Sequence, residues 1–249
     1  MSYKEIIYKN YTTMNSLKSI PTVLSEKLGR GPLYNYLISN FFPKDKNIQI
    51  LDLGCGFGDF VWCIEKRGYH NVIGIDNSKE MIIEGKKLGI NKILKNDIMK
   101  YLKQKPSDSL DVVTAIDIIE HFDKQNLFIL IQEIHRVLKP HGRLITHQPN
   151  ADSPFVNSIL YGDYTHEQAF TKQSMSQIIL SNGFENIKSY EVKPIVHGLK
   201  SFLRYLVWVL IIKNILLIFN LVETGAFSYR SILSRNFITV SLKKKLKIY

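Results

Sequence analysis

The alternation of short apolar runs with helix-like stretches, which begins near residue 48, limits the fold of this chain more than any other feature. Helix-like patterns occupy 58–67, 78–88 and 125–138, and the last repeats its apolar residues with the 3.6-residue period of an α-helix. The apolar runs around them read IQILDL, NVIGID, NKILKND, LDVVTAID and GRLITHQ. Strands separated by helices are typical of βαβ units, so the sequence predicts an α/β fold around a parallel sheet.

The regions on either side of this alternation have a different pattern. Residues 1–20 resemble a polar arm, and residues 22–42 a pair of amphipathic helices broken at Gly29-Arg30-Gly31-Pro32. After residue 150 we predict a polar loop, a helix near 171–182, and strands near 185–193 and 236–242. The chain then divides into an N-terminal helical cap (1–47), a main domain (48–193 plus 236–249) and an apolar helical insertion (194–235).

The net charge of +11 is unevenly distributed. Residues 1–47 carry seven basic and three acidic groups (+4), residues 188–249 carry eleven and two (+9), and residues 48–187 carry fifteen and seventeen (−2). Lysine outnumbers arginine 26 to 7, and lysine lacks the forked guanidinium that reads bases and phosphates. We therefore predict no nucleic-acid partner. The two cysteines are too few for a disulfide framework, which favours a cytoplasmic location.

A glycine-rich loop follows the first predicted strand. Asp52-Leu53-Gly54-Cys55-Gly56-Phe57-Gly58 leads directly into a helical pattern, so a ligand there lies at the carboxyl edge of the sheet. The dinucleotide fingerprint G-x-G-x-x-G requires its third glycine at position 59, where this chain has Asp59. Because a carboxylate repels a pyrophosphate, the loop disfavours NAD and suits a nucleoside without phosphates, with Asp52 accepting from an ammonium group.

Acidic residues also end the second, third and fourth predicted strands, at Asp76, Asp97 and Asp117. A carboxylate at the second position can accept from both ribose hydroxyls, and one at the third can accept from an adenine amino group. Aspartate also follows strands simply because it favours turns. Four such carboxylates in register with a G-x-G-x-G loop favour a nucleoside-containing cofactor.

Together these motifs resemble the class I S-adenosylmethionine-dependent methyltransferases. The resemblance rests on ILDLGCGFG, GID at 74–76, ND at 96–97, IDIIEHF at 116–122 and RVLKPHGRL at 136–144. It implies a Rossmann-like, doubly wound, mostly parallel seven-stranded sheet with an antiparallel last strand. It also implies S-adenosylmethionine as cofactor and S-adenosylhomocysteine as product. The implied cofactor-binding residues are Asp52, Gly54, Cys55, Gly56, Asp76, Asn77, Met81, Asn96, Asp97, Ile98 and Asp117.

The acceptor side is predicted from the loop after the fifth strand. GDYTHEQAFTKQSMSQIILSNGF resembles methyltransferases of bacterial capsule and lipopolysaccharide gene clusters, which methylate sugars. A sugar hydroxyl is a weak nucleophile, so its attack benefits from a general base. We expect His166 to be that base, with Glu167 or Asp163 orienting its ring, and tyrosines of this loop to stack on the sugar. His-Gln-Pro-Asn at 147–150 is predicted to belong to the same loop.

Alternatives remain for these residues and for the function. Thr165, followed three residues later by Gln168, has the spacing of a helix capping box, in which case His166 and Glu167 only begin a helix. His121 is the second candidate base and His147 the third. No metal is expected, because no His-x-x-x-His pair is present. The alternative functions are quinone or lipid O-methylation, amine N-methylation, and non-catalytic nucleoside binding within a larger assembly.

The apolar segment 199–222 is the least ordinary part of the sequence. Tyr205–Ile212 is apolar on every side, which indicates burial against protein, another subunit or lipid. Lys213, Asn214 and Asn220 interrupt the roughly twenty apolar residues that a membrane crossing needs. The strand at 236–242 must also return to the same sheet. We therefore favour a helical subdomain or dimer interface over the acceptor pocket, with peripheral contact at the inner membrane as the alternative.

Overall fold

The structure is a computed structural model that describes residues 3–9, 30–225 and 227–245. Most of the predicted polar arm and the first helix of the predicted pair at 22–42 lie outside the described residues. At its start, however, the predicted polar arm is a helix, α1 (Tyr3–Lys9). The boundaries proposed for the three parts of the chain stay predictions.

The centre of the molecule is a seven-stranded sheet with the strand order β3-β2-β1-β4-β5-β7-β6. The strands are β1 (Ile50–Leu53), β2 (Val72–Asp76), β3 (Ile93–Lys95), β4 (Leu110–Ile116), β5 (Leu138–Pro149), β6 (Phe184–Glu191) and β7 (Asn236–Lys243). Strands β1 to β5 are parallel, and β7 runs antiparallel between β5 and β6. The predicted seven-stranded sheet with its antiparallel last strand is confirmed.

Helices cover both faces of this sheet. The connecting helices are α2 (Gly31–Phe41), α3 (Asp59–Lys66), α4 (Lys79–Lys87), α5 (Ile98–Gln104), α6 (Lys124–Val137), α7 (Asn157–Leu160) and α8 (Lys172–Ser181), with a 3₁₀ turn at Ile119–His121. Side chains of α2, α3 and α4 form the core on one face. Those of α5, α6 and α8 form the core on the other. The fold is therefore doubly wound, and the carboxyl ends of the parallel strands meet at one edge.

Two local predictions differ from the structure. Strand β5 continues through Pro149 because His147 pairs with Ile238 of β7, so His147 and Gln148 lie in a buried strand rather than a loop. No helix begins at Thr165 in the described residues, and the capping interpretation of His166 and Glu167 is wrong.

The apolar segment forms one continuous helix over Leu199–Thr224. It consists of α9 (Leu199–Val207), a π-helical turn at Trp208–Ile212, and α10 (Lys213–Thr224). Among the described residues, it is the one helix that is long and apolar enough to cross a membrane, by length and composition only.

Gly85 in α4 lets this helix press against the glycine-rich loop. A Cβ at Gly85 would lie 2.1 Å from the Phe57 carbonyl oxygen and 2.4 Å from Ile93 Cδ1. Alanine normally stabilises a helix relative to glycine, but here we expect Gly85→Ala to lower the free energy of unfolding by about 1–3 kcal/mol, because backbone must move. Thermal unfolding measures this. Gly198→Ala is the control, because a Cβ at Gly198 would meet no atom within 4 Å; equal melting temperatures of the two variants would contradict the packing argument.

Candidate active site

The glycine-rich loop is tied to the end of β2. The amides of Gly54 and Cys55 donate to the carbonyl oxygen of Ile75 at 2.9 and 3.0 Å. The carboxylate of Asp76 accepts from the Gly56 amide at 2.9 Å and from the Ser78 amide at 2.7 Å. Asp76 therefore fixes the loop as well as the start of the following helix.

The loop is shaped for close approach of a ligand to the backbone. Gly54 has a φ of +69°, and a Cβ there would lie 2.6 Å from Ile118 Cγ1, so the position requires glycine. The loop opens onto a cavity of about 410 Å³. This cavity is lined by the predicted cofactor-binding residues Asp52, Gly54, Cys55, Gly56, Asp76, Met81 and Asp117.

Asp52 is buried beneath this cavity. Its carboxylate accepts from the Thr114 hydroxyl at 2.6 Å, and burial raises its pKa to about 7 although that hydrogen bond opposes the shift. A cationic group beside Asp52 would favour the ionised carboxylate. The contact of Asp52 with the ammonium end of an amino-acid ligand stays a prediction, and this buried carboxylate supports it.

A second cavity of about 410 Å³ adjoins the first and shares Gly54, Asp76 and Ser78 with it. Asn77, Asp97 and Ile98, the other predicted nucleoside contacts, line this second cavity. Asp97 is also the N-cap of α5 and accepts from the Lys100 amide at 2.8 Å. Asn96 is not among the lining residues; its amide donates to the Asp76 carbonyl oxygen at 2.9 Å.

At the far side of the first cavity, Asp117 is held by two basic side chains. His147 Nδ1–H donates to its carboxylate at 2.6 Å, and Arg30 approaches the other oxygen at 3.0 Å. Burial opposes ionisation of Asp117, but His147 and Arg30 outweigh it, and the pKa of Asp117 lies below its usual range. His147 is therefore a partner of Asp117 and is buried away from solvent. Sequence reasoning missed Arg30, although it named the Gly29–Pro32 break that carries it.

Two histidine rings contact each other beside the cavities. The rings of His121 and His166 make an edge contact with centroids 4.6 Å apart. His166 Nδ1–H donates to the Ile159 carbonyl oxygen at 2.9 Å. Thr165 donates its hydroxyl to Asp163 at 2.6 Å, so His121 Nδ1–H must donate to that hydroxyl, at 2.8 Å. Burial and the neighbouring His166 lower the pKa of His121 to about 4, which keeps it neutral at physiological pH.

Helix α1 contacts both of the segments that carry these histidines. Glu167 accepts from the Tyr3 hydroxyl at 2.7 Å and pairs with Lys4 at 2.6 Å. Lys4 also donates to the His121 carbonyl oxygen at 2.6 Å. Glu167 therefore binds α1, and the Ile159 carbonyl oxygen accepts from the His166 ring; the orientation of this ring by Glu167 or Asp163 stays a prediction.

One group in the described residues has the composition of a metal site. Glu120, His121 and His166 each offer a ligand atom within 4.8 Å of the others. Burial and the nearby Asp117 charge raise the pKa of Glu120 well above its usual range, which favours the neutral carboxyl, a weaker metal ligand than the carboxylate. That the protein uses no metal cofactor stays a prediction, and inhibition by a chelator would contradict it.

Comparison with known proteins agrees with this geometry. Residues 51–146 match the family model described as a methyltransferase domain. A phosphoethanolamine N-methyltransferase of Plasmodium falciparum is 26% identical over 201 residues, which cover 76% of this chain and 68% of that protein. A mitochondrial ubiquinone biosynthesis O-methyltransferase of Dictyostelium discoideum is 22% identical over 156 residues, 57% of this chain and 46% of that protein.

The fold also has solved relatives. A SAM-dependent methyltransferase from Archaeoglobus fulgidus superposes with a TM-score of 0.65 and 22% identity, covering 88% of this chain and 95% of that one. The matched residues 51–146 contain most of β1, all of β2 to β4, the glycine-rich loop and the carboxylates Asp52, Asp76, Asp97 and Asp117. Residues 51–146 of the chain therefore match a methyltransferase domain, and the comparisons support a methyltransferase with S-adenosylmethionine as its cofactor.

Proposed function

We propose that the protein transfers the methyl group of S-adenosylmethionine to a hydroxyl group of a sugar, within a precursor of a bacterial surface polysaccharide. The observation that carries the O-methylation is the state of His166. Its Nδ1 donates to a backbone carbonyl, so its Nε2 holds the lone pair and can accept a proton. A base of this kind is needed for a hydroxyl acceptor and dispensable for a neutral amine.

The position of His166 supports this role. Its ring contacts His121, and His121 lines both cavities of the cofactor site. His166 therefore lies next to a residue that lines the cofactor cavities, on the side of the loop 161–167. His121 is held by Thr165 and contacts the His166 ring, and its pKa of about 4 makes it a weak base.

The reaction is a direct displacement. S-adenosylmethionine, held by the residues that line the two cofactor cavities, would supply a methyl group on a positively charged sulfur, and its leaving group would be the neutral thioether. The acceptor oxygen gains the C–O bond, and its proton moves to His166 Nε2. The remaining contribution of the protein is to hold the two reactants in line.

The loop beside His166 supports a sugar as the acceptor. Tyr161 and Tyr164 are 79% and 82% exposed, although large aromatic side chains are usually buried in part. Tyr164 also makes an edge contact with Tyr3 of α1 at 5.9 Å. The rings of Tyr161 and Tyr164 belong to the loop that carries His166, and they offer flat faces to a pyranose.

Two other acceptors have specific support. Similarity to the Plasmodium falciparum enzyme favours an amine such as phosphoethanolamine. Similarity to the Dictyostelium discoideum enzyme favours a quinol. A panel of nucleotide sugars, a demethylated quinol and phosphoethanolamine, incubated with S-adenosylmethionine, separates these acceptors by mass spectrometry. We expect a gain of one methyl group on a sugar. Methylation of phosphoethanolamine or quinol alone would contradict the proposal, and no methylation at all would favour a binding protein.

A further inference from the structure

We propose that the helix Leu199–Thr224 lies on the surface of a lipid bilayer that contains anionic phospholipids, with its apolar face in the headgroup and acyl boundary. The apolar face is defined here as Leu199, Leu203, Val207, Leu210, Ile211, Ile215, Ile218 and Val222, all of them exposed. Of the 22 large apolar side chains that are exposed in the described residues, 14 lie between Val196 and Tyr229. A concentration of this size marks an interaction surface.

The π-helical turn aligns this face along the helix. Ser201 and Leu217 are both buried against the protein, yet sixteen residues at 100° each would place them about 160° apart on a regular α-helix. The extra residue of a π-turn rotates the second half back by about 100°. Trp208–Ile212 supplies that turn, so the halves α9 and α10 share one protein-facing stripe and one outward apolar face.

The helix is fixed parallel to the protein surface. Lys213, at its middle, pairs with Glu191 at the end of β6 at 2.8 Å, and both side chains are buried. Glu191 also accepts from the Leu233 amide at 3.1 Å, which ties down the segment that leads back to β7. The helix is held at its centre, and the protein covers one stripe of it. Its opposite, apolar face is therefore open to a flat partner.

The connections of the helix disfavour a membrane crossing. Strand β6 ends at Glu191 and β7 begins at Asn236, and these ends are neighbours because Glu191 pairs with Phe237. A crossing helix would have to return through the hydrocarbon in residues 225–235, which include Arg230 and Arg235. The described part of that return segment is not helical, and unpaired backbone groups do not occur in lipid.

Charge identifies the partner as anionic lipid. Residues 192–235 carry six basic side chains and one acidic side chain, Glu223. Lys200 and Arg204 are exposed one turn apart beside the apolar face. Lysine and arginine next to an apolar face are attracted to anionic headgroups. A symmetric dimer through this face would instead gather the basic side chains of both copies in one interface, with Glu223 as the acidic side chain of 192–235 in each copy, and like charges within one interface oppose association.

The bilayer would lie near the edge of the sheet at which the carboxyl ends of the parallel strands meet. Strand β6 is parallel to β5, because both are antiparallel to β7, so Glu191 ends at the same edge as the carboxylates of the cofactor site. No residue of Leu199–Thr224 lines the two cofactor cavities within the described chain. The helix therefore does not cover the site; it holds the site near a membrane-bound or lipid-linked acceptor.

Vesicle sedimentation with the full chain tests the proposal. We expect the protein to partition at least tenfold better onto vesicles of phosphatidylcholine and phosphatidylglycerol (two to one) than onto phosphatidylcholine alone. The double variant Leu210→Asp/Ile218→Asp changes two side chains that are 65% and 59% exposed, so we expect it to fold and to lose at least tenfold in partitioning. Leu180→Asp, 59% exposed on α8, is the matched control and should bind vesicles normally.

Three results would overturn the proposal. One is the absence of partitioning onto either vesicle in lipid excess while the protein still binds S-adenosylhomocysteine. The second is a homodimer in light scattering that the double variant dissociates, which would assign the face to a second copy. The third is protein that stays with the vesicles after a wash with alkaline carbonate, which would indicate a helix that spans the bilayer.

Discussion

Replacing His166 with alanine is expected to lower kcat by about a hundredfold to ten-thousandfold, the usual contribution of a positioned general base. The affinity for S-adenosylhomocysteine should stay nearly constant, since His166 is not among the residues that line the cofactor cavities. The rate of the wild type should fall in acid, because a protonated imidazole cannot accept the acceptor's proton. Steady-state kinetics of both proteins on one acceptor over a range of pH provide the measurement.

Two controls make this test specific. His197→Ala removes an exposed imidazole and should leave kcat unchanged. A chelator should also leave the wild-type rate unchanged, whereas inhibition that added metal reverses would assign Glu120, His121 and His166 to a metal site. If His166→Ala retains nearly the full kcat, the base is not His166, and His121→Ala becomes the next variant to measure. An acid limb that survives in the His166 variant would indicate a titrating amine acceptor.

The sheet and the cofactor side of the site could be predicted because they depend on local patterns. An apolar run followed by a glycine loop determines a buried strand and a sharp turn. Parallel strands place their carboxyl ends at one edge, so Asp52, Asp76, Asp97 and Asp117 had to lie near each other once the strands were assigned. No knowledge of side-chain contacts was required for that step.

The acceptor side could not be predicted to the same depth because its contacts join distant parts of the chain. Lys4 and Tyr3 reach Glu167 across more than 160 residues of sequence, and no periodicity marks such a contact. Arg30 pairs with Asp117 in the same way. Pairing with β7 decided that His147 lies in a strand. The residue type alone allowed several roles for each of these residues, and the contact decides which role it has.

Replacing Asp76 with alanine is expected to raise the dissociation constant of S-adenosylhomocysteine about tenfold to 150-fold, equivalent to about 1.5–3 kcal/mol. The carboxylate lines both cofactor cavities, where it is expected to accept from the ribose hydroxyls. It also accepts from the amides of Gly56 and Ser78, so its loss leaves the glycine-rich loop less firmly held. Isothermal calorimetry measures the constant, and NAD should produce no binding heat with either protein.

The ribose contact can be separated from the loop contact by a matched variant and a matched ligand. Asp45→Ala also removes a carboxylate that accepts from a backbone amide, that of Asn47, but it precedes β1 at the opposite edge of the sheet and should leave cofactor affinity unchanged. The wild type should bind S-adenosylhomocysteine more tightly than its 2′-deoxyribose analogue, because a buried acceptor that loses its donor is destabilising. The Asp76 variant should lose that preference, since the acceptor itself is gone. An unchanged dissociation constant, or a ribose preference that survives the substitution, would mean that Asp76 serves only the loop and that another group recognises the ribose.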